Sequence, residues 1–121
     1  MKILYAEDTA FLRKLVVEYL TIAGRHEVEA VEDGRDVLKR LDAGQVYDVV
    51  LTDNRMPYVS GMEVLKKLRS DVRFATLPII VLSGDSIADE VTKLGGVYVS
   101  KGRWNPALRL ALEQVARDVH K

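Results

Sequence analysis

Short, almost wholly apolar runs alternate with longer stretches whose apolar residues recur three or four positions apart, and the alternation persists along the whole chain. Ile3 to Ala6, Val49 to Leu51, Ile79 to Leu82 and Val97 to Val99 have strand length and no polar interior, as strands covered on both faces should. Glu27 to Ala30 alternates instead, with Val28 and Ala30 set against Glu27 and Glu29, which predicts a strand with one wet face at a sheet edge. Helical spacing joins Leu12, Leu15, Val16, Tyr19 and Ala23, then Val37, Leu38 and Leu41, then Met62, Leu65 and Leu68. A fourth helix is carried by Ile87, Val91 and Leu94, and a fifth by Leu108, Ala111, Leu112, Val115 and Val119. Asn105 is placed to cap the fifth, with Pro106 at its first position, where a missing N–H is harmless. Gly24, Gly34, Gly44, Gly61 and Gly95 punctuate the connections.

Five β-α units in succession predict an α/β fold: a parallel five-stranded sheet with helices on both faces, a doubly wound three-layer sandwich. The 121 residues show no break in composition, so residues 1–121 read as one domain. Eighteen basic and eighteen acidic residues give a formal net charge of zero, and no global field draws the chain to nucleic acid or an anionic membrane. Cysteine is absent, which excludes disulfides, thiolate metal sites and thiol catalysis. Only four apolar positions precede the first acidic pair, too few for a signal peptide core or a membrane span, so a cytoplasmic location is expected.

The carboxyl ends of parallel strands lie along one edge of the sheet, where residues distant in sequence converge. Four of the apolar runs lead into polar residues there: Glu7 and Asp8, Asp53, Ser83, and Lys101. Three carboxylates at the mouths of neighbouring strands repel one another, and a hard divalent cation such as Mg²⁺ or Mn²⁺ resolves the conflict. Taken singly, Asp8 reads as a helix cap, Asp53 as a turn residue, Ser83 as a cap and Lys101 as a solvated loop residue. As a set at one sheet edge they read as a site.

Asp53 is followed by Met56-Pro57 at the third and fourth positions and by Gly61 at the eighth. This segment resembles the phosphoacceptor loop of bacterial response-regulator receiver domains. The resemblance spans essentially the whole chain: the acidic pair Glu7 and Asp8, Ser83 after the fourth strand, Tyr98 in the fifth and Lys101 three positions on. It implies a flavodoxin-like fold with strand order 2-1-3-4-5. It implies that Asp53 accepts a phosphoryl group from a sensor histidine kinase, a histidine phosphotransfer protein or a small acyl phosphate. Asp8 would then bind Mg²⁺ directly, Glu7 through water, and Arg55 through its backbone carbonyl, while Ser83 and Lys101 contact the phosphoryl oxygens. Tyr98 would be the switch residue, moving as Ser83 moves and altering the face formed by the fourth helix, fifth strand and fifth helix, which a downstream effector protein or domain reads. Trp104, beside that face, reads as a partner anchor or as a cover for the end of the sheet. A homodimer is a further partner of the type such domains use. A switch of this kind modifies itself, with possible autodephosphorylation, and turns over no separate substrate.

Two alternatives stand beside this reading. A small magnesium-dependent aspartyl phosphatase needs a second acid two residues after its nucleophile, where this chain has Arg55. An interaction module of the same fold that works without phosphorylation is the other. The chain also departs from the commonest receiver pattern. Gly102 replaces the usual proline after the lysine, so the peptide is expected either trans with a rerouted loop or cis at a cost of about 2.5–4 kcal/mol. The interval from Ser83 to Lys101 is short by about one helical turn of roughly 3.6 residues, so the fourth helix should be stunted. Arg55 and Asp85, two residues beyond Asp53 and Ser83, are expected to pair across the mouth of the site and slow the approach of water. His26 and His120 read as surface groups.

Overall fold

A computed structural model describes residues 1–119; His120 and the Val119 side chain lie outside the described residues. Five strands, β1 (Lys2–Ala6), β2 (Glu27–Val31), β3 (Val49–Asp53), β4 (Ile79–Ser83) and β5 (Val97–Ser100), form one parallel sheet in the order β2-β1-β3-β4-β5. The helices are α1 (Ala10–Glu18), α2 (Gly34–Asp42), α3 (Gly61–Arg69), α4 (Ala88–Lys93) and α5 (Trp104–Val119).

The two-residue period of the strands sorts their side chains between two cores. Leu4, Ala6, Val50, Ile79 and Val81 face α2, α3 and α4, where they meet Val37, Val64, Leu65, Leu68 and Val91. Ile3, Tyr5, Val49, Leu51, Ile80 and Leu82 face α1 and α5, where they meet Val16, Leu108, Leu112 and Val115. In β1, β3 and β4 continuous apolar runs mark strands covered on both faces, as the sequence pattern requires; β5 departs from it, because it is the other edge of the sheet, with Val97 38% exposed and only Val99 buried.

Several local expectations are corrected. Strand β3 runs two residues and β4 one residue further than the apolar pattern, so Asp53 and Ser83 are their last residues and inherit the rigidity of the sheet. In β2, Ala30 is exposed and Glu29 is half-buried, the reverse of the simple alternation. The cause is a polar cluster: the Glu29 carboxylate accepts hydrogen bonds from the Tyr47 hydroxyl and from Arg40 at 2.8 Å. In α1, Leu15 is 42% exposed, and after Glu18 the chain widens into a π-turn over Tyr19–Ala23 that leaves Ala23 in solvent. Gly24 N–H donates to the Tyr19 carbonyl five residues back, at 3.1 Å, and Leu20 takes the buried position. Asn105 does not cap α5, which starts one residue earlier at Trp104 on a 3₁₀ turn over Lys101–Arg103. His26 is half-buried, not a surface group, and burial lowers its pKa.

Helix α4 is stunted as expected, six residues long with no side-chain cap at its start. Its end is held from outside. The Arg69 guanidinium, at the end of α3, donates to the carbonyls of Leu94 (2.8 Å) and Gly95 (3.1 Å) and to those of Phe74 (3.1 Å) and Leu77 (2.9 Å). One side chain thus reaches four carbonyls from two chain segments, of which that of Phe74 also accepts from Leu77 N–H at 3.2 Å.

Helix α2 opens at Gly34, after Asp33 accepts a hydrogen bond from Arg35 N–H at 2.8 Å as its cap. A Cβ at Gly34 would stand 2.6 Å from the Val59 carbonyl oxygen and 2.8 Å from Val64, so only glycine lets α2 lie on the loop that follows β3. Gly34→Ala is expected to destabilise by about 1–3 kcal/mol, whereas Gly102→Ala, which meets nothing within 4 Å, should stay within about 0.5 kcal/mol of wild type. Urea denaturation of both variants measures the contrast.

Candidate functional site

Register brings the polar residues together. Ala6 pairs with Thr52, so Glu7 stands level with Asp53; Asp53 pairs with Leu82 and Ser83 with Ser100, so Ser83 stands one step beyond Asp53 at the end of β4 and Lys101 follows directly after the end of β5. Glu7 lies two residues past Tyr5, and Asp53 two past Leu51, both core residues of the α1–α5 face, so the same period that builds the core also turns the two carboxylates the same way.

Glu7 is fully buried and Asp53 is 3% exposed, while Asp8 is exposed to solvent. Carboxylate oxygens of Glu7, Asp8 and Asp53 all lie within 4.8 Å of one another. The Lys101 ammonium donates to Asp53 Oδ2 at 2.9 Å and stands 3.5 Å from Glu7 Oε1. Burial by itself would lower the pKa of Lys101, but the hydrogen bond and charge of Asp53, with Glu7 beside it, hold it above its ordinary value. For Glu7 the balance runs the other way. Burial and the neighbouring Asp53 push it up to about 7, against the hydrogen bond from Thr9 N–H (3.2 Å) and the charge of Lys101.

Asp8 does not cap α1. The N-cap residue is Thr9, without a side-chain hydrogen bond, and Asp8 is left free of that duty at the rim. Asp53 Oδ1 accepts from Asn54 N–H at 2.8 Å. The Lys101–Gly102 peptide is trans, as no cis peptide bond occurs among the described residues, and the 3₁₀ turn that follows β5 still lets Lys101 reach the carboxylates.

Ser83, Asp85, Arg55 and Tyr98 form a second, linked network. Asp85 N–H donates to Ser83 Oγ at 2.9 Å, and Ser83 Oγ stands 3.4 Å from Asp85 Oδ2. The Arg55 guanidinium forks onto Asp85, with 2.7 Å to Oδ1 and 3.0 Å to Oδ2, and the pair lowers the pKa of Asp85. The Tyr98 hydroxyl is directed at the carbonyls of Asp85 (2.8 Å) and Ser83 (3.1 Å), with its ring half-buried against the α3–α4 core. A cleft of about 320 Å³ opens between these groups, lined by Asp53, Arg55, Ser83, Gly84, Asp85 and Lys101. Trp104 is half-buried and packs edge-on against Tyr19, ring centroids 5.3 Å apart, so it covers the end of the α1–α5 core.

Two participants escape a reading of the sequence. Asn54 ties the site together: its N–H meets Asp53, its Nδ2 lies 3.3 Å from Asp85 Oδ2, and its Oδ1 accepts from Met62 N–H at 3.0 Å. An asparagine directly after a strand is a turn signal that marks such a knot. Tyr5, within the apolar run of β1, gives no signal at all; its hydroxyl is fully buried and has no hydrogen-bond partner, and burial first, then the charges of Glu7 and Asp53, push its pKa up.

The donor set suits a hard divalent cation. It is all oxygen, it carries more negative charge than one ammonium balances, and Glu7 Oε1 is buried with no hydrogen bond of its own. Chemically, the arrangement offers an anionic oxygen nucleophile, a cation site beside it, and a hydroxyl and an ammonium to receive an anion.

Comparison with known proteins gives one consistent result. The family model described as response regulator receiver domain matches residues 3–101. The chain is 34% identical over 91 residues to the chemotaxis protein CheY1 of Helicobacter pylori, covering 75% of this chain and 73% of that protein. It is 30% identical over 119 residues to a chemotaxis CheY homolog of Campylobacter jejuni, covering 95% and 92%. Among solved structures it resembles chemotaxis response regulator CheY4 of Vibrio cholerae (30% identity, TM-score 0.78, 94% and 97% covered). It also resembles response regulator TrrA of Thermotoga maritima in complex with Mg²⁺-BeF (27% identity, TM-score 0.81, 94% and 97% covered).

A buried hydroxyl without a partner carries its desolvation cost with no return. Tyr5→Phe is therefore expected to raise stability by about 1 kcal/mol, measured as a higher thermal midpoint at unchanged fold.

Proposed function

Because the chain belongs to the response regulator receiver family, a family of signalling domains, we propose that Asp53 accepts a phosphoryl group from a phosphohistidine or a small acyl phosphate and that the modified domain signals to a partner. The observation that carries this reading is the convergence of Glu7, Asp8, Asp53 and Lys101 at one sheet edge, beside a cleft that Asp53 and Lys101 line.

A carboxylate oxygen of Asp53 attacks phosphorus, a P–O bond forms, and the P–N bond to the donor imidazole, or the P–O bond to the acyl group, breaks. The displaced group leaves with the bonding electron pair. Asp53 is presented on the last residue of a central strand, which fixes its direction of attack. Asp8, Asp53 and the Arg55 carbonyl would hold Mg²⁺ or Mn²⁺, with Glu7 acting through water. The metal would supply charge neutralisation at the transferring phosphoryl oxygens. Lys101 exchanges its contact with Asp53 for a phosphoryl oxygen, and Ser83 turns its hydroxyl from Asp85 to another.

Signal output follows from that second movement. Ser83 and Tyr98 are both tied to Asp85, so releasing Ser83 loosens the hydroxyl of Tyr98 and reshapes the face of α4, β5 and α5. A sensor histidine kinase or histidine phosphotransfer protein is the donor, and an effector protein or domain is the reader. The neutral net charge supports a protein partner over direct contact with nucleic acid. Among the described residues no helix is long and apolar enough to cross a membrane.

Incubation with acetyl phosphate and Mg²⁺ followed by intact mass measurement is expected to add one phosphoryl group to the wild type and none to Asp53→Asn. An unmodified wild type under those conditions overturns the proposal. The exposed Arg55–Asp85 fork shields the mouth of the cleft, so Arg55→Ala should shorten the lifetime of the phosphorylated form by about two- to fivefold, followed as loss of the added mass over time.

A further inference from the structure

The loop from Asn54 to Ser60 carries the Arg55 carbonyl, yet its outer half is fastened by a device that belongs to neither the acidic cluster nor the cleft. Tyr58 has a φ of 70°, the left-handed region that a residue with a side chain rarely adopts. Its ring is 71% exposed to solvent, and the Arg35 guanidinium lies over that ring with its central carbon 3.5 Å from the centroid. Arg35 is itself oriented from behind: Nη2 stands 3.4 Å from Asp33 Oδ2, and Asp33, 7% exposed, is fixed as the cap of α2. Next to Tyr58, the Val59 carbonyl rests directly on Gly34.

We infer that the stack of Arg35 on Tyr58 is a clamp that holds the β3–α3 loop in its strained conformation and thereby positions the Arg55 carbonyl toward the carboxylate cluster. This rests on the proposed metal role of that carbonyl and extends it to two positioning residues outside the site. The inner half of the loop is already pinned by core packing of Met56 and Val59 and by the Arg55–Asp85 fork. Pro57 has a fixed φ, and so the free torsion between these anchors falls at Tyr58. A left-handed tyrosine is unfavourable in isolation; the Val59 N–H to Pro57 carbonyl bond closes the turn across Tyr58 from within, and contacts from outside the loop over-determine it. Gly34 supplies the close approach, and Arg35 supplies the contact. The two residues are adjacent in sequence on α2, so the loop after β2 and the loop after β3 move as one piece.

The test compares Arg35→Ala, Tyr58→Gly and Tyr58→Phe with wild type by three readouts: amide hydrogen exchange at Val59 and Gly61, Mg²⁺ affinity by calorimetry, and thermal midpoint. The Val59 and Gly61 N–H groups donate to Pro57 and Asn54 carbonyls within the loop, at 2.9 and 3.0 Å, and so report its order. Arg35→Ala and Tyr58→Gly are expected to speed exchange at both and to weaken Mg²⁺ binding about threefold to tenfold, while Tyr58→Phe, which keeps the ring, matches wild type. Tyr58→Gly should hold or raise the thermal midpoint, since glycine relieves the backbone strain. Stability and metal affinity moving in opposite directions separates positioning from mere structural support. Unchanged exchange in Arg35→Ala, or affinity that falls only in step with stability, overturns the clamp. A wild type that binds no Mg²⁺ removes the metal reading, and the exchange data then decide the clamp separately.

Discussion

Two carboxylates buried side by side at the end of a sheet impose the constraint on which the rest of this structure depends. Glu7 and Asp53 have almost no access to water, and in such surroundings like charges repel far more strongly than at a surface. Lys101 relieves the conflict by standing 2.9 Å from one and 3.5 Å from the other. The relief is incomplete, since one Glu7 oxygen keeps no hydrogen bond and its carboxyl remains easier to protonate than usual. A site balanced this way is primed for more positive charge, and any new anion placed there must compete with Asp53 for the same ammonium.

Most of this was legible in the sequence because it depends on periodicity. Apolar runs placed four strands and an alternating pattern the fifth, β2, and the polar residues after the four apolar runs marked the candidate site, since parallel strands end together. What escaped was set by contacts between distant segments. The π-turn after Glu18 cannot be read from spacing, since the apolar pattern of α1 continues through it into Ala23. Glu29 turned inward because Tyr47 and Arg40 offered it partners, a tertiary effect that overrides alternation. Asp8 read as a cap because acids commonly are, yet Glu7 meets the Thr9 N–H instead. Tyr5 looked like one more core residue, and only its burial reveals the unmatched hydroxyl.

Asp85 is the junction between the cleft and the far side of the sheet. It receives Arg55 from the loop after β3, engages Ser83 at the end of β4 through its own N–H, and offers its carbonyl to Tyr98 on β5. Residues from three successive strand ends therefore meet at the main chain and side chain of one residue two positions past β4.

Arg69 grips α4 solely through peptide oxygens. An anchor of that kind is blind to what side chains the helix bears, and the outward residues of α4 are consequently at liberty to diverge without loosening the helix from its neighbours.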